Sequence, residues 1–265
     1  MGALVQLWIR VEVGNTLGAD SLGHFQAAWT ISMQYIGFVL AAMGADYYPR
    51  LTGLINDPKA ATRLVNEQTE IALLLSAPVF IAMIGLAPWV IELLYSSAFK
   101  PAVEVLRWQI LSDVLKVASW PLGFVILAAG AGKTFFWTES IMLLLLGGLI
   151  ASLSPSTGLK ITGIAFLVCY LVYLPLVYLL AKRSIGFEWT GSVVKLLAII
   201  FTVCVAVAVV STLYWWGAVV AVVLTLVFCF YTLVRLAHMS NVGGLVGRIA
   251  AMARQIRIKI GLKHE

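Results

Sequence analysis

The chain has 265 residues, of which 62% are hydrophobic and only 11% are charged, whereas a soluble domain carries about 25% charged residues. The mean hydropathy of +0.99 also argues against an ordinary soluble domain and indicates an integral membrane protein. The net charge of +6 comes from loops and the C-terminal tail, where membrane topology places lysine and arginine, so no nucleic-acid partner is expected.

The apolar runs are near 20 residues long, which is the length of a membrane-spanning helix. Strands of a membrane barrel would instead alternate apolar and polar residues over about ten positions. The predicted fold class is therefore an all-α membrane protein with about eight transmembrane helices. In chain order, the predicted spans are 3–18, 25–45, 71–95, 108–129, 135–153, 161–181, 193–213 and 215–237.

The distribution of basic residues predicts the orientation, because cytoplasmic loops are enriched in lysine and arginine. With the C-terminus in the cytoplasm, the outer segments hold only Lys100, Arg107 and Lys160. An even number of spans then places the N-terminus in the cytoplasm as well. The inner loops and the tail hold Arg50, Lys59, Arg63, Lys133, Lys182, Arg183, Lys195, Arg235, Arg248, Arg254, Arg257, Lys259 and Lys263.

Two predicted cytoplasmic segments have structure of their own. Asp57-Pro58 is typical of a helix N-cap followed by proline in the first turn, and that helix should continue into the third span. The tail from 245 to 260 repeats apolar residues at helical spacing and carries basic residues on its other faces. It is interpreted as an amphipathic helix on anionic membrane lipid; a solvated charged tail is the alternative.

Charged residues inside the spans are the best indicators of function, because each costs about 2.5–3.5 kcal/mol at the bilayer centre. The first span carries Arg10 and Glu12, which face different directions on a helix. Arg10 is interpreted as an anion contact in a hydrated cavity. The alternative is that it pairs with a neighbouring helix.

The fourth span carries a polar stripe, since spacings of four, three and four residues align Gln109, Asp113, Lys116 and Trp120 on one face. The functional hypothesis is that this stripe faces a central polar cavity, with Arg107 at its outer mouth. The alternative is a structural ion pair between Asp113 and Lys116.

Two further polar features have two interpretations each. Glu139 follows the aromatic run Phe135-Phe136-Trp137 and is either a protonatable coupling group or an interfacial carboxylate. The second span has an uncharged stripe of Gln26, Thr30, Gln34 and Gly37, for which helix packing is the favoured interpretation over substrate contact.

Signals of an enzyme are weak. His24, His238 and His264 lack the spacing of metal ligands, and Cys169, Cys204 and Cys229 all lie in apolar runs. We therefore expect no enzyme activity, no catalytic residue, no metal and no cofactor.

Several ordered segments between residues 1 and 185 resemble Wzx-type oligosaccharide flippases, in the polysaccharide-transporter branch of the multidrug/oligosaccharidyl-lipid/polysaccharide (MOP) exporters. The closest subgroup is that of O-antigen and enterobacterial-common-antigen translocases. The segments that carry the resemblance are 23–32 (GHFQAAWTIS), 47–51 (YYPRL), 93–96 (LLYS) with Phe99, 106–109 (LRWQ) and 113–116 (DVLK).

The resemblance implies two six-helix bundles related by pseudo-symmetry, often with two extra C-terminal helices. It assigns 1–185 to the second bundle, 186–240 to the two extra helices and 241–265 to the basic tail, with a first bundle as the missing partner. Such proteins flip undecaprenyl-diphosphate-linked oligosaccharide units from the cytoplasmic to the periplasmic face of the bacterial inner membrane by alternating access. The implied use is surface polysaccharide synthesis, as for the O-antigen of lipopolysaccharide.

With that substrate, the expected diphosphate contacts are Arg10 and Lys116, assisted by Arg107, Asp113 and Gln109, while Glu12 and Glu139 are candidates for ion coupling. The alternatives are another MOP exporter, for lipid II or a drug, a membrane glycan polymerase or ligase, and a truncated remnant without transport activity.

Overall fold

A computed structural model describes residues 2–238, apart from the side chains of residues 2–3, 38–44 and 238; the predicted tail helix lies outside these residues. Within them the fold consists of α-helices and two short 3₁₀ turns, Ser97–Phe99 and Gly158–Lys160. The helices are α1 (Gly2–Leu54), α2 (Pro58–Leu94), α3 (Ala102–Ala128), α4 (Gly132–Thr157), α5 (Ile161–Ile185), α6 (Gly191–Leu213) and α7 (Gly217–His238).

Five segments of the described chain are long and apolar enough to cross a membrane, and one of them, Gly132–Ile185, contains both α4 and α5. This confirms the all-α membrane fold. The eight predicted spans correspond to α2–α7 and two arms of α1, although α1 is not among the five segments. Eight crossings of the membrane therefore remain a prediction.

Helix α1 is divided at Gly18, where φ is 86° and ψ is 170°. This backbone conformation strains any residue with a Cβ, and glycine adopts it readily. We call residues 2–17 the first arm of α1 and residues 19–54 the second arm. The predicted spans 3–18 and 25–45 leave residues 19–24 between them, and these residues are helical because the helix resumes directly after Gly18.

Helix α2 begins as the sequence predicted. The Asp57 carboxylate accepts hydrogen bonds from the backbone N–H groups of Lys59 and Ala60, each at 3.1 Å, and Pro58 occupies the first helical position. The helix then runs for 37 residues without interruption. At 1.5 Å per residue it is about 55 Å long, so part of it extends beyond the roughly 30 Å hydrocarbon core.

Helix α3 is the central helix of the bundle and packs against α1, α2 and α5. In its most apolar stretch 83% of the residues are buried, compared with 28% in α6 and 17% in α7. The last two helices lie at the periphery, where α7 packs mainly on α2. Polar side chains on α3 are therefore enclosed by protein, and each needs a partner or a cavity.

Asn66 of α2 is hydrogen-bonded to the connection between α5 and α6. The Asn66 amide donates to the carbonyl oxygens of Thr62 (2.9 Å) and Glu188 (3.0 Å). Its oxygen accepts from the backbone N–H of Thr190 at 2.8 Å. Phe187, inside the same connection, is fully buried. This arrangement fixes the start of α6 relative to α2.

Replacing Asn66 with alanine should lower the free energy of unfolding by about 1–3 kcal/mol, because the backbone groups at 188 and 190 lose the side chain that bonds to them. Equilibrium unfolding in detergent micelles measures this change. Arg63→Gln is the matched control one turn away: it removes an exposed Arg63–Glu67 pair and should cost about 0.5 kcal/mol or less. Equal effects of the two changes would contradict the role of Asn66 in holding the α5–α6 connection against α2.

Candidate functional site

A cavity of about 130 Å³ lies between the first and second arms of α1 and helices α3, α4 and α5. Its polar lining consists of Gln6, Lys116, Glu139, Tyr170 and Tyr173. The apolar lining is Trp29, Met33, Met142, Leu143, Leu146, Phe166 and Cys169. The sequence-predicted stripe on α3 thus reaches a cavity through Lys116.

Lys116 is a buried cation with few direct partners. Its side chain is 8% exposed, and Nζ lies 3.8 Å from the Met33 sulfur and 5.9 Å from the centre of the Tyr170 ring. Among residues 2–238, no ion pair shorter than 4.0 Å forms at this ammonium group. An ammonium has three N–H donors, so most of its hydrogen-bonding capacity is available on the cavity side.

Asp113 is held by hydroxyl groups from the second arm of α1. Ser32 Oγ donates to Oδ2 at 2.6 Å and Tyr35 Oη donates to the same oxygen at 2.7 Å. A direct Asp113–Lys116 ion pair, the alternative left open by the sequence, is not formed. Ser32 and Tyr35 were not predicted from the sequence; their signal is two hydroxyls three residues apart on one helical face.

Glu139 lies on the same cavity as Lys116, although it comes from α4. Its carboxylate accepts a hydrogen bond from the Tyr173 hydroxyl of α5. The carboxylate is therefore a partly buried component of the cavity wall. Sequence spacing gave no reason to group Glu139, Lys116 and the two tyrosines, because they lie on three different helices.

Gln109 is buried one turn before Asp113 on the same face of α3, as predicted. It does not line the cavity. Within the described residues, its amide nitrogen and oxygen have no hydrogen-bond partner. A buried amide without partners costs about 1–3 kcal/mol, so this stripe retains unused donor and acceptor groups.

The structure does not bring Arg10 or Glu12 to Lys116. Both are absent from the cavity lining, and Arg10 is exposed on the described chain rather than deeply enclosed. The first arm packs inward through Ile9 and Val13, which turns Arg10 outward. Glu12 accepts a hydrogen bond from the Thr16 hydroxyl at 3.0 Å. Gln6 is the polar residue of this arm that reaches the cavity.

Arg107 lies on the opposite face of α3 from Lys116, contrary to the sequence prediction. Nine residues at about 100° each amount to two and a half turns, which points the two side chains in opposite directions. Arg107 Nε donates to the Ile84 carbonyl of α2 at 3.1 Å. Its other nitrogens donate to the Ser211 carbonyl (3.2 Å) and the Thr212 hydroxyl (2.9 Å) of α6.

The partners of Arg107 explain its position. The Ile84 carbonyl would normally accept from residue 88, which is Pro88 and has no N–H to donate. The Ser211 carbonyl is in the last turn of α6, where helical carbonyls lack intrahelical donors. Arg107 therefore supplies hydrogen bonds that two helices lack, and its role is to join α2, α3 and α6.

Arg107→Met should lower the free energy of unfolding by about 2–4 kcal/mol, because two backbone carbonyls lose a charged donor. Arg107→Lys should recover only part of this loss, since one ammonium cannot span both helices as a guanidinium does. Unfolding in detergent micelles measures both effects. Lys100→Gln, an exposed change just before the start of α3, should leave stability nearly unchanged. A fully stable Arg107→Met variant would contradict this role.

The uncharged stripe on the second arm of α1 is exposed on the described chain, so the packing interpretation remains untested. Gln26, Thr30, Gln34 and Gly37 all lie on the surface of the described chain. The opposite face of this arm, with Ala28, Ile31 and Ser32, is the one that packs into the bundle. No helix between residues 2 and 238 covers the stripe.

A helical bundle with several long apolar helices is the architecture of a multi-pass membrane protein. Residues 3–104 match the family described as polysaccharide biosynthesis protein. Over 167 residues, the chain is 28% identical to proteins named lipid III flippase in Escherichia coli (strain K12) and Shigella flexneri. These matches support the resemblance of the chain to MOP-type polysaccharide flippases that its sequence indicated.

The matched region covers 62% of this chain and 40% of each relative, so the chain spans well under two thirds of those flippases. No solved structure matches the chain.

Proposed function

We propose that this chain forms a helix bundle of a flippase for an undecaprenyl-diphosphate-linked oligosaccharide. In this proposal the substrate moves from the cytoplasmic to the periplasmic face of the bacterial inner membrane, by alternating access, for a surface polysaccharide of the O-antigen type. A second helix bundle completes the passage, in line with the partial coverage of the relatives. The family supports a transporter rather than an enzyme.

The observation that carries this proposal is the state of Lys116. A diphosphate cannot enter hydrocarbon without cationic partners, because an unpaired charge there is too costly. Lys116 provides a buried ammonium group that lines a cavity and makes no direct ion pair within the described residues. Its free N–H donors would form charge-assisted hydrogen bonds to phosphate oxygens.

The neighbouring carboxylates favour the charged form of Lys116 without forming a direct ion pair with it. Asp113 is engaged by Ser32 and Tyr35, and Glu139 by Tyr173. Both negative charges attract the ammonium from a distance, which offsets part of the cost of burying it. In this proposal Gln109 lies one turn from Asp113 on the same face of α3 and takes no direct part in the contact, and Glu139 is the candidate for ion coupling. Arg10 and Glu12 face away from the cavity and take no part in this contact.

The cavity is too small for the whole substrate. Ligand pockets are typically about 300–1,000 Å³, whereas this cavity has about 130 Å³, space for about four water molecules. It suits a phosphate-sized group, with the glycan and the lipid lying outside it. Alternating access would have to open this region further during transport.

Lys116→Gln should weaken binding of undecaprenyl-diphosphate-linked N-acetylglucosamine about 10- to 150-fold, which is the loss of one hydrogen bond to a charged group. The measurement is equilibrium binding to the chain in lipid nanodiscs, followed by transfer of the labelled lipid across proteoliposome membranes. Lys195→Gln is the matched control, because Lys195 is exposed on α6 and remote from the cavity.

Both variants must unfold at the same denaturant concentration as the parent chain for the comparison to hold. Absence of binding by the parent chain would contradict the proposed function. Unchanged binding by a stable Lys116→Gln variant would contradict the proposed role of Lys116.

We further propose the orientation indicated by the basic loops, with both termini in the cytoplasm. Single cysteines at 58–62 should react only with reagents that reach the cytoplasm, and those at 155–158 only with reagents on the periplasmic side. The background needs Cys229→Ser, because Cys229 is partly exposed while Cys169 and Cys204 are buried. The reverse labelling pattern would overturn this orientation.

A further inference from the structure

The exposed stripe on the second arm of α1 consists of neutral hydrogen-bonding groups inside the predicted second span. Gln26, Thr30 and Gln34 follow one another at intervals of four residues and extend over about 12 Å of helix. Their side chains make no hydrogen bond to the rest of the described chain that would account for their position. Facing lipid directly, two amides and a hydroxyl would have no partners and would destabilise the span.

The stripe lies beside the Lys116 cavity. At about 100° per residue, Met33 projects about 20° and Trp29 about 60° from Gln26, both on the side away from Thr30 and Gln34. Met33 and Trp29 line the cavity. The edge of the cavity therefore adjoins the edge of the stripe along the same helix. Ser32 and Tyr35, on the far side of that helix, hold it in this rotation through Asp113.

We propose that this stripe, Gln26, Thr30 and Gln34, contacts the hydroxyl groups of the carbohydrate while Lys116 contacts the diphosphate. This inference rests on the proposed function and assigns the two chemical parts of the substrate to two adjoining surfaces. Uncharged amides and hydroxyls both donate and accept, as sugar hydroxyls do. They carry no charge that would compete with Lys116 for the phosphate.

Helix packing and lipid contact both fit the chemistry of the stripe less well. Glutamine and threonine side chains can hydrogen-bond across packed helices in membranes, but no helix of residues 2–238 covers the stripe. Two glutamines on one face also oppose the close backbone approach that small residues allow. Contact with lipid tails is excluded by the cost of unpaired amides. A hydrated surface next to a cationic cavity satisfies the amides before the substrate arrives and allows sugar hydroxyls to replace the water.

The test compares two probes, undecaprenyl diphosphate and undecaprenyl-diphosphate-linked N-acetylglucosamine, for binding to the full chain in nanodiscs. The triple variant Gln26→Leu, Thr30→Val, Gln34→Leu should bind the sugar-free probe as the parent chain does. It should bind the sugar-bearing probe more weakly, by about two- to tenfold for each hydrogen bond lost. Lys116→Gln should weaken both probes by the same factor.

Thr202→Val is the matched control for Thr30→Val, because Thr202 is exposed on α6, away from the cavity. It should change the affinity for neither probe. If the triple variant does not accumulate, Thr30→Val and Gln34→Leu separately are judged by the same difference between probes.

The outcomes separate this inference from the proposed function. Binding of both probes by the parent chain, with an unaffected triple variant, overturns the carbohydrate contact and leaves the flippase proposal standing. Equal weakening of both probes, or a change in oligomeric state on size-exclusion chromatography, also overturns it and makes the stripe a packing surface. Binding of neither probe by the parent chain overturns both proposals.

Discussion

The arrangement of the cavity depends on one constraint: a carboxylate buried in the central helix has to be satisfied without water. Asp113 meets it with two hydroxyl donors, Ser32 at 2.6 Å and Tyr35 at 2.7 Å, both from the second arm of α1. These bonds fix α1 against α3 in a single rotation, because leaving a charged group unpaired at this depth would cost several kcal/mol. The rotation in turn decides which residues of α1 line the cavity and which remain exposed.

Helix α3 serves two purposes on opposite faces. Arg107 compensates for the carbonyl that Pro88 leaves without a donor in α2 and for the end of α6. Half a turn away, Asp113 and Lys116 face α1 and the cavity. The separation has a physical benefit, because the arginine that joins α2, α3 and α6 is out of reach of the anion that Lys116 is proposed to bind. A conformational change on the cavity side can therefore leave the α6 attachment intact.

Much of the fold follows from local sequence signals. The lengths of the apolar runs and the cap at Asp57 predicted the helices and the start of α2, because those features depend on neighbouring residues. The alignment of Gln109, Asp113 and Lys116 followed from helical spacing alone. The same arithmetic, applied to Arg107, would have removed it from the stripe.

The contact of Lys116, Glu139 and Tyr173 with one cavity could not be predicted from the sequence, because it depends on how three helices pack. The exposure of Gln26 and Gln34 likewise depends on which face of α1 the Asp113 contacts turn inward.

The distribution of partners around Lys116 supports the anion contact proposed for the cavity. If Asp113 or Glu139 formed a tight ion pair with the ammonium, an incoming phosphate would have to break that pair in a region of low dielectric constant. The cost of breaking the pair would cancel most of the favourable free energy of phosphate binding. Here each carboxylate is engaged by tyrosine or serine hydroxyls, and the ammonium lies against a thioether and an aromatic ring. A phosphate oxygen can displace these weak contacts, because a sulfur and a ring face bind an ammonium less strongly than a charged oxygen does. The hydroxyls thus do more than satisfy the carboxylates: by bonding to them, they leave the buried lysine of α3 available for the anion contact that is proposed for it.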